Sequence, residues 1–376
     1  MRSLFAALAL CATLTLPTDA ARYKISDDPP FAAALLIEAE TGSVLFEHNA
    51  HLPRSPASTQ KLLLQLVVMD AIADGRYSLA DSVYTSAWAS RMGGSQVFLK
   101  QGEIFPLEEL MEAIAITSAN DACVAIAEHV AGSVEGFVEM MNEKAGALGL
   151  EATTCVNVHG LDDTPEAEGN RTTAADLART SQELLRYSEV LTWAGARIKP
   201  FRGGEFTLYT TNKLLGRFRG MDGLKTGYTQ RAGFNLVATA SRRSMRLISV
   251  MLGSPSEKAR DRESRQLLSW GFNHFAKVPI ALGGVSVGNV PLDWGHSPEV
   301  AVVAADTVVS VLSTDQRQRL KRELNLPELF QAPVLQGDSL GTMRISLDDS
   351  VLTEIRLLAR STVQRMTVWE ILMSYF

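Results

Sequence analysis

Three short segments carry side chains suited to one reaction. Ser58-Thr59-Gln60-Lys61, Ser118-Ala119-Asn120 and Lys225-Thr226-Gly227 follow one another along the chain. Acyl transfer needs an activated hydroxyl, and Ser58 offers one. Its position predicts a helix N-terminus, where backbone N–H groups lack partners. Lys61 stands one turn on, so its amine reaches the Ser58 hydroxyl on the same face. To take that proton the amine must be neutral. Bringing a lysine from about 10.4 to near 7 needs on the order of 4–5 kcal/mol, which burial beside a second cation, Lys225, would supply. Ser118 can relay a proton towards a leaving amine, and Asn120 can hold Lys61 or a substrate amide. Lys225 and Thr226 present a cation and a hydroxyl to a carboxylate. Gly227 allows a close approach. The N–H groups of Ser58 and Tyr228 would bind a developing oxyanion.

Each segment alone has a plain reading: Ser58 as a helix cap, Lys61 as a solvated charge, Lys-Thr-Gly as a turn. Their joint order outweighs these. Other chemistries drop out. The three Cys form no C-x-x-C pair, and no H-E-x-x-H or P-loop sequence occurs. No metal or other cofactor is expected. Lys plus Arg number 36 against 42 Asp plus Glu, a net charge of −6, with no basic block, so nucleic acid is not an expected partner. With 376 residues, 46% of them hydrophobic, the chain can bury a sizeable core.

The elements that must position these residues follow from periodicity. Residues 32–38 read as a strand, 41–43 as a turn and 44–46 as a second strand. Ser58 opens a strong helix whose buried face is Leu62, Leu63, Leu66, Val67 and Met69, ended by Gly75. Further helices are predicted at about 106–117, 121–130 and 134–148, and strands at 235–240 and 246–252. Lys225-Thr226-Gly227 is placed before a strand. From about Pro279 glycines punctuate short apolar runs at 300–304, 308–312, 343–347 and 355–359, the texture of a small β-rich domain.

The ends differ from the middle. Arg2, the apolar stretch 4–16 and the small residues at 18–20 read as an export signal over 1–20. Cys11 follows Leu10 where a lipoprotein would carry a small residue, so lipidation is disfavoured. Export permits a disulfide between Cys123 and Cys155; two buried thiols fit as well. Residues 360–376 are predicted as an amphipathic helix, suited to a membrane interface or to docking on the protein's own core.

Together these segments resemble the serine D-alanyl-D-alanine carboxypeptidases, low-molecular-mass penicillin-binding proteins of the S11 type. The likeness spans nearly the whole chain: residues 55–62, Phe98-Leu99-Lys100-Gln101-Gly102, residues 118–123, Val158-His159-Gly160-Leu161, 172–178, 222–227, 231–235 and 245–248. It implies an α/β (α+β) catalytic domain of the serine β-lactamase/transpeptidase type over 21–278, the β-rich domain over 279–359 and the tail helix over 360–376. It implies Ser58 as nucleophile, Lys61 as base, Ser118 and Asn120 as their partners, and Lys225, Thr226 and Gly227 around the substrate, beside which Tyr228 and Arg246 are further candidates from the residues themselves. The substrate would be the peptidoglycan stem pentapeptide, losing its terminal D-Ala through an acyl-enzyme, and β-lactams would acylate the same serine. The expected location is the periplasm, with the tail holding the protein at the inner membrane.

Two positions depart from the family pattern. Ala119 stands where Gly is usual, and Tyr228 where His is common, though the oxyanion site needs only its backbone. Arg246 fits a role on the substrate carboxylate or that of a surface strand arginine. Gly93-Gly94-Ser95 fits a mobile loop at the entrance or a plain turn. The rivals are a D,D-endopeptidase on crosslinks, a class A-like β-lactamase using Glu166 and Asn170, and a non-catalytic peptidoglycan-binding protein. Gly169 replaces the leucine of the lactamase loop.

Overall fold

The computed structural model describes residues 23–162 and 169–373. The predicted export signal and Glu166 lie outside them. The chain divides into two compact units, the first ending at Asn273 and the second beginning at His274.

The first unit opens with β1 (Ala33–Glu38), buried at every position, and β2 (Val44–His48). A 3₁₀ turn over Ala57–Gln60 leads into α1 (Lys61–Ala73). Lys61 to Met69 are all buried, so α1 runs through the interior and not along its surface. The short hairpin of β3 (Ser82–Tyr84) and β4 (Ile104–Pro106) precedes α2 (Leu107–Thr117) and α3 (Asn120–Ala131). Next come α4 (Val134–Ala147), capped by the Ser133 side chain, α5 (Ala174–Leu184), capped by Thr173, and α6 (Ser188–Gly195). A second hairpin, β5 (Ile198–Phe201) and β6 (Phe206–Tyr209), leads to β7 (Met221–Thr229), β8 (Gly233–Arg242) and β9 (Met245–Ser254). The unit closes with α7 (Glu257–His274).

The central sheet is antiparallel in the order β2-β1-β9-β8-β7. Both its faces are covered, which explains the unbroken apolar run of β1. Ala33, Leu35 and Ile37 join the core that contains α1 to α4. On the other face Leu36 meets α7, where a Cβ on Gly271 would lie 2.7 Å from it. Each large apolar side chain so buried contributes roughly 1.5–3 kcal/mol.

In the second unit β10 (Phe275–Ala281) is followed by β11 (Ser286–Asp293), β12 (Glu299–Ala304) and β13 (Val308–Ser313). After α8 (Thr314–Arg319) come β14 (Leu320–Asn325), β15 (Phe330–Gln331), β16 (Ser339–Leu347) and β17 (Ser350–Ala359). Six strands form the sheet β14-β16-β17-β12-β11-β15, and β10 pairs with β13. Val290, Val302, Ile345 and Leu357 centre its core.

Three expectations change. The Lys225 segment lies within β7, not before a strand. The long α7 was not anticipated, because its charged run conceals the few buried positions Ala259, Leu267 and Leu268. The tail is not helical from 360. Val334 and Val363 exchange backbone hydrogen bonds of 3.0 and 2.8 Å, so this stretch is extended; among the described residues of the tail, which end at Met373, only α9 (Val368–Met373) is helical.

Candidate active site

Ser58 does not cap α1. It lies inside the 3₁₀ turn, whose entry residue Ala57 is held at φ +48°. Thr59 Oγ1 donates to Pro56 O at 2.7 Å and fixes the turn from within. Lys61 is the first residue of α1 and is completely buried. Its Nζ donates to Ser58 Oγ at 2.8 Å and to His159 O at 2.7 Å. Burial brings its pKa down to about 8, against the opposing pull of Cys123 and Asp121. Burial likewise pushes the Cys123 thiol up to about 11, leaving it uncharged near neutrality. Desolvation is what moves Lys61, and not the charge of Lys225 expected from the sequence. The second cation feels the first instead: Lys225 is lowered by its own burial and then by Lys61.

Ser118 ends α2 in the left-handed conformation, φ +69°. Such a backbone is uncommon outside glycine and persists where the surroundings enforce it. Asn120 then opens α3. Its backbone N–H donates to Ser95 O and its Nδ2 to Gly93 O, both at 2.7 Å. Ser118 Oγ and Asn120 Oδ1 are buried with no hydrogen-bond partner among the described residues. Leaving such atoms unpaired costs about 1–3 kcal/mol each, a common mark of a site shaped for a ligand. The glycine loop is thus tied to α3, and Asn120 keeps its acceptor end open.

On β7, Lys225 is buried and its Nζ donates to Thr226 O at 2.9 Å. Thr226 Oγ1 donates to Thr211 Oγ1 at 2.6 Å. Gly227 brings the strand against the nucleophile's turn: a Cβ there would lie 2.9 Å from Pro56 O and 3.0 Å from Ser58 N. Tyr228 is exposed, its ring 4.3 Å from that of Phe234.

Arg246 is not gathered with these groups. Its guanidinium grips Asp222 at 2.7 and 2.8 Å and also donates to Thr239. The nearby arginine is Arg260 of α7, 3% exposed, paired with Asp261 at 2.7 Å and close enough to Lys225 to lower its pKa. Sequence reasoning missed it, because in Arg-Asp-Arg-Glu it looks like one more solvated charge. The segment 157–160 also gained no role from sequence, yet it lies beneath Lys61. Gly160, at φ +84°, packs so tightly that a Cβ would fall 2.1 Å from Ala57 O.

Asn170 is tied to residues 156 and 157. Its Oδ1 accepts from Val156 N at 2.7 Å and its Nδ2 donates to Asn157 Oδ1 at 2.8 Å. Cys123 and Cys155 are free and buried.

Residues 26–256 match the family described as D-alanyl-D-alanine carboxypeptidase, and residues 275–365 match the penicillin-binding protein 5 C-terminal domain. The chain is 34% identical over 338 residues to the D-alanyl-D-alanine carboxypeptidase DacF of Bacillus subtilis, covering 89% of this chain and 86% of that one. Penicillin-binding protein 6B from Escherichia coli superposes with a TM-score of 0.75 at 30% identity, over 92% of this chain and 99% of that one. Penicillin-binding protein D2 from Listeria monocytogenes, in its ampicillin-bound form, gives 0.60 at 29% identity, over 66% of this chain and all of its own.

Proposed function

Since the chain belongs to the D-alanyl-D-alanine carboxypeptidase family, we propose that its reaction is carried by Ser58, Lys61, Ser118 and Asn120, with Lys225, Thr226 and Gly227 receiving the substrate. The protein is a serine D,D-carboxypeptidase. It removes the terminal D-Ala from peptidoglycan stem peptides, and β-lactams bind the same site. Neutral Lys61 takes the Ser58 proton as Oγ attacks the carbonyl carbon of the penultimate D-Ala. The N–H groups of Ser58 and Tyr228 face the oxyanion. Ser118 passes a proton to the departing D-Ala nitrogen, the C–N bond breaks, and water later releases the acyl group. Lys225 and Thr226 hold the terminal carboxylate, aided by Arg260 in place of Arg246. Asn120 Oδ1 accepts from a substrate amide.

The observation that carries this assignment is the contact of fully buried Lys61 with Ser58 Oγ at 2.8 Å. Mass spectrometry tests it on the mature protein, using a pentapeptide ending in D-Ala-D-Ala and benzylpenicillin, with Ser58→Ala as control. Loss of one D-Ala and a lasting penicilloyl adduct, both absent from the Ala variant, are expected. Either product in the Ala variant would move the nucleophile elsewhere. Rapid penicillin turnover with an intact peptide would make Glu166 central, although the bonds of Asn170 speak against a lactamase loop.

The catalytic domain is taken as the chain up to Asn273 and the β-rich domain as that from His274, since a boundary at 278/279 would cut β10; the tail follows from 360. The apolar segment 4–16 supports export to the periplasm. Among the described residues no helix is long and apolar enough to cross a membrane. On α9, Val368, Trp369, Leu372 and Met373 are at least half exposed, which supports peripheral contact with the outer face of the inner membrane.

A further inference from the structure

Lys61 Nζ has two hydrogen-bond partners, and the reaction uses one of them. A neutral amine carries two N–H donors and a single lone pair. When one N–H is held by a fixed acceptor, the direction left for the lone pair narrows. His159 O, at 2.7 Å, is that acceptor. What aims this carbonyl is less obvious, because the next residue is Gly160 at φ +84°, and a peptide flanked by glycine flips easily.

The other end of the same peptide plane supplies the answer. The C=O of His159 and the N–H of Gly160 belong to one planar unit and point to opposite sides. Gly160 N donates to Asn157 Oδ1 at 2.8 Å. Pinning the N–H on Asn157 therefore points the carbonyl at Lys61. Asn157 is itself fixed: Nδ2 donates to Leu161 O at 3.0 Å, Oδ1 accepts from Asn170 Nδ2 at 2.8 Å, and Gln60 Nε2 donates to Asn157 O at 2.6 Å. Asn170 Oδ1 in turn holds Val156 N at 2.7 Å and Asn157 N at 3.2 Å. Both asparagines are buried, 6% and 4% exposed.

We propose that Asn157 and Asn170 are positioning residues for proton abstraction: their paired amides lock the His159–Gly160 peptide so that its carbonyl orients Lys61 towards Ser58. Neither touches Ser58 or the Lys61 amine. They act through one peptide plane, and the inference rests on the acyl-transfer reading above. The charged or ionisable neighbours of Lys61 are Asp121 and Cys123 on α3 and Lys225 on β7; neither asparagine alters them.

Stopped-flow acylation of the mature full chain by a fluorescent penicillin separates non-covalent binding from the acylation step. Wild-type acylation checks the underlying reading, and its absence would sink that reading rather than this one. Asn157→Leu keeps the volume but removes the acceptor; the acylation constant should fall on the order of 10²-fold while binding holds, since an ångström of misplacement has that effect. Asn157→Asp keeps an oxygen for Gly160 N but loses the donor to Leu161 O, and should restore part of the rate. Asn170→Asp faces Asn157 Oδ1 with a second acceptor and should slow acylation in the same selective way. It carries the test if Asn157→Leu does not fold. Wild-type acylation in Asn157→Leu, or binding and acylation lost together in Asn170→Asp, would overturn the proposal.

Discussion

Gly227 and Ser58 meet backbone to backbone: a Cβ on Gly227 would lie 3.0 Å from the Ser58 nitrogen and 2.9 Å from Pro56 O. The strand and the nucleophile's turn are in contact because that position bears no side chain. Backbone atoms cannot swing aside as a flexible side chain would. Gly227→Ala should therefore part β7 from the turn, move the two oxyanion donors and reduce penicillin acylation on the order of 10²-fold. Wild-type acylation by Gly227→Ala would show that the two donors need not be so close.

Lys61 links pH to both rate and stability. With a pKa of about 8, its neutral, base-competent fraction grows as pH rises through 8, so the acylation rate should climb across that interval. A profile flat from pH 6 to 9 would assign the proton to another group.

The stability effect has the opposite sense to that of a lysine gaining a partner. The folded pKa of Lys61 lies below the ordinary 10.5, so between about 8 and 10.5 the unfolded chain binds more protons. Stability from this group should rise with pH through that window, by on the order of 3 kcal/mol at most. Lys61→Met removes a buried ammonium. At pH 7 it should raise Tm by about 2–4 °C while abolishing acylation. Thermal melts of the two proteins at pH 7 and 10 check the sign, because the gap should close at the higher pH.

The two arginines should separate by phenotype. Arg246→Ala breaks a two-pronged pair with Asp222 in a half-buried setting, costing about 1–2 kcal/mol of stability with KM unchanged. Arg260→Gln removes a buried cation beside Lys225 and should raise KM for the pentapeptide about tenfold with little loss of kcat. The reverse pattern would return Arg246 to the substrate.

The tail prediction concerns attachment alone. Trp369 is 78% exposed on α9. Trp369→Glu should abolish co-sedimentation with anionic phospholipid vesicles and leave pentapeptide hydrolysis intact. Undiminished sedimentation would remove α9 as the contact.

Much of this molecule is legible in the order of its residues. Ser58, Lys61, Ser118, Lys225 and Gly227 are recognisable because acyl transfer restricts residue type and local spacing. β1 and α1 are recognisable because burial demands apolar runs. Tertiary structure decided what depends on neighbours distant in sequence. Both arginines are ion-paired, Arg246 with Asp222 and Arg260 with Asp261, and what differs is place: only Arg260 lies close enough to Lys225 to act on its charge. How far the pKa of Lys61 falls depends on how completely water is excluded from it. The stretch after 360 paired with Val334 because a backbone takes up hydrogen bonds wherever packing offers them. The carbonyl that holds Lys61 is aimed by Asn157 through a peptide plane, a relation that spacing along the chain does not encode.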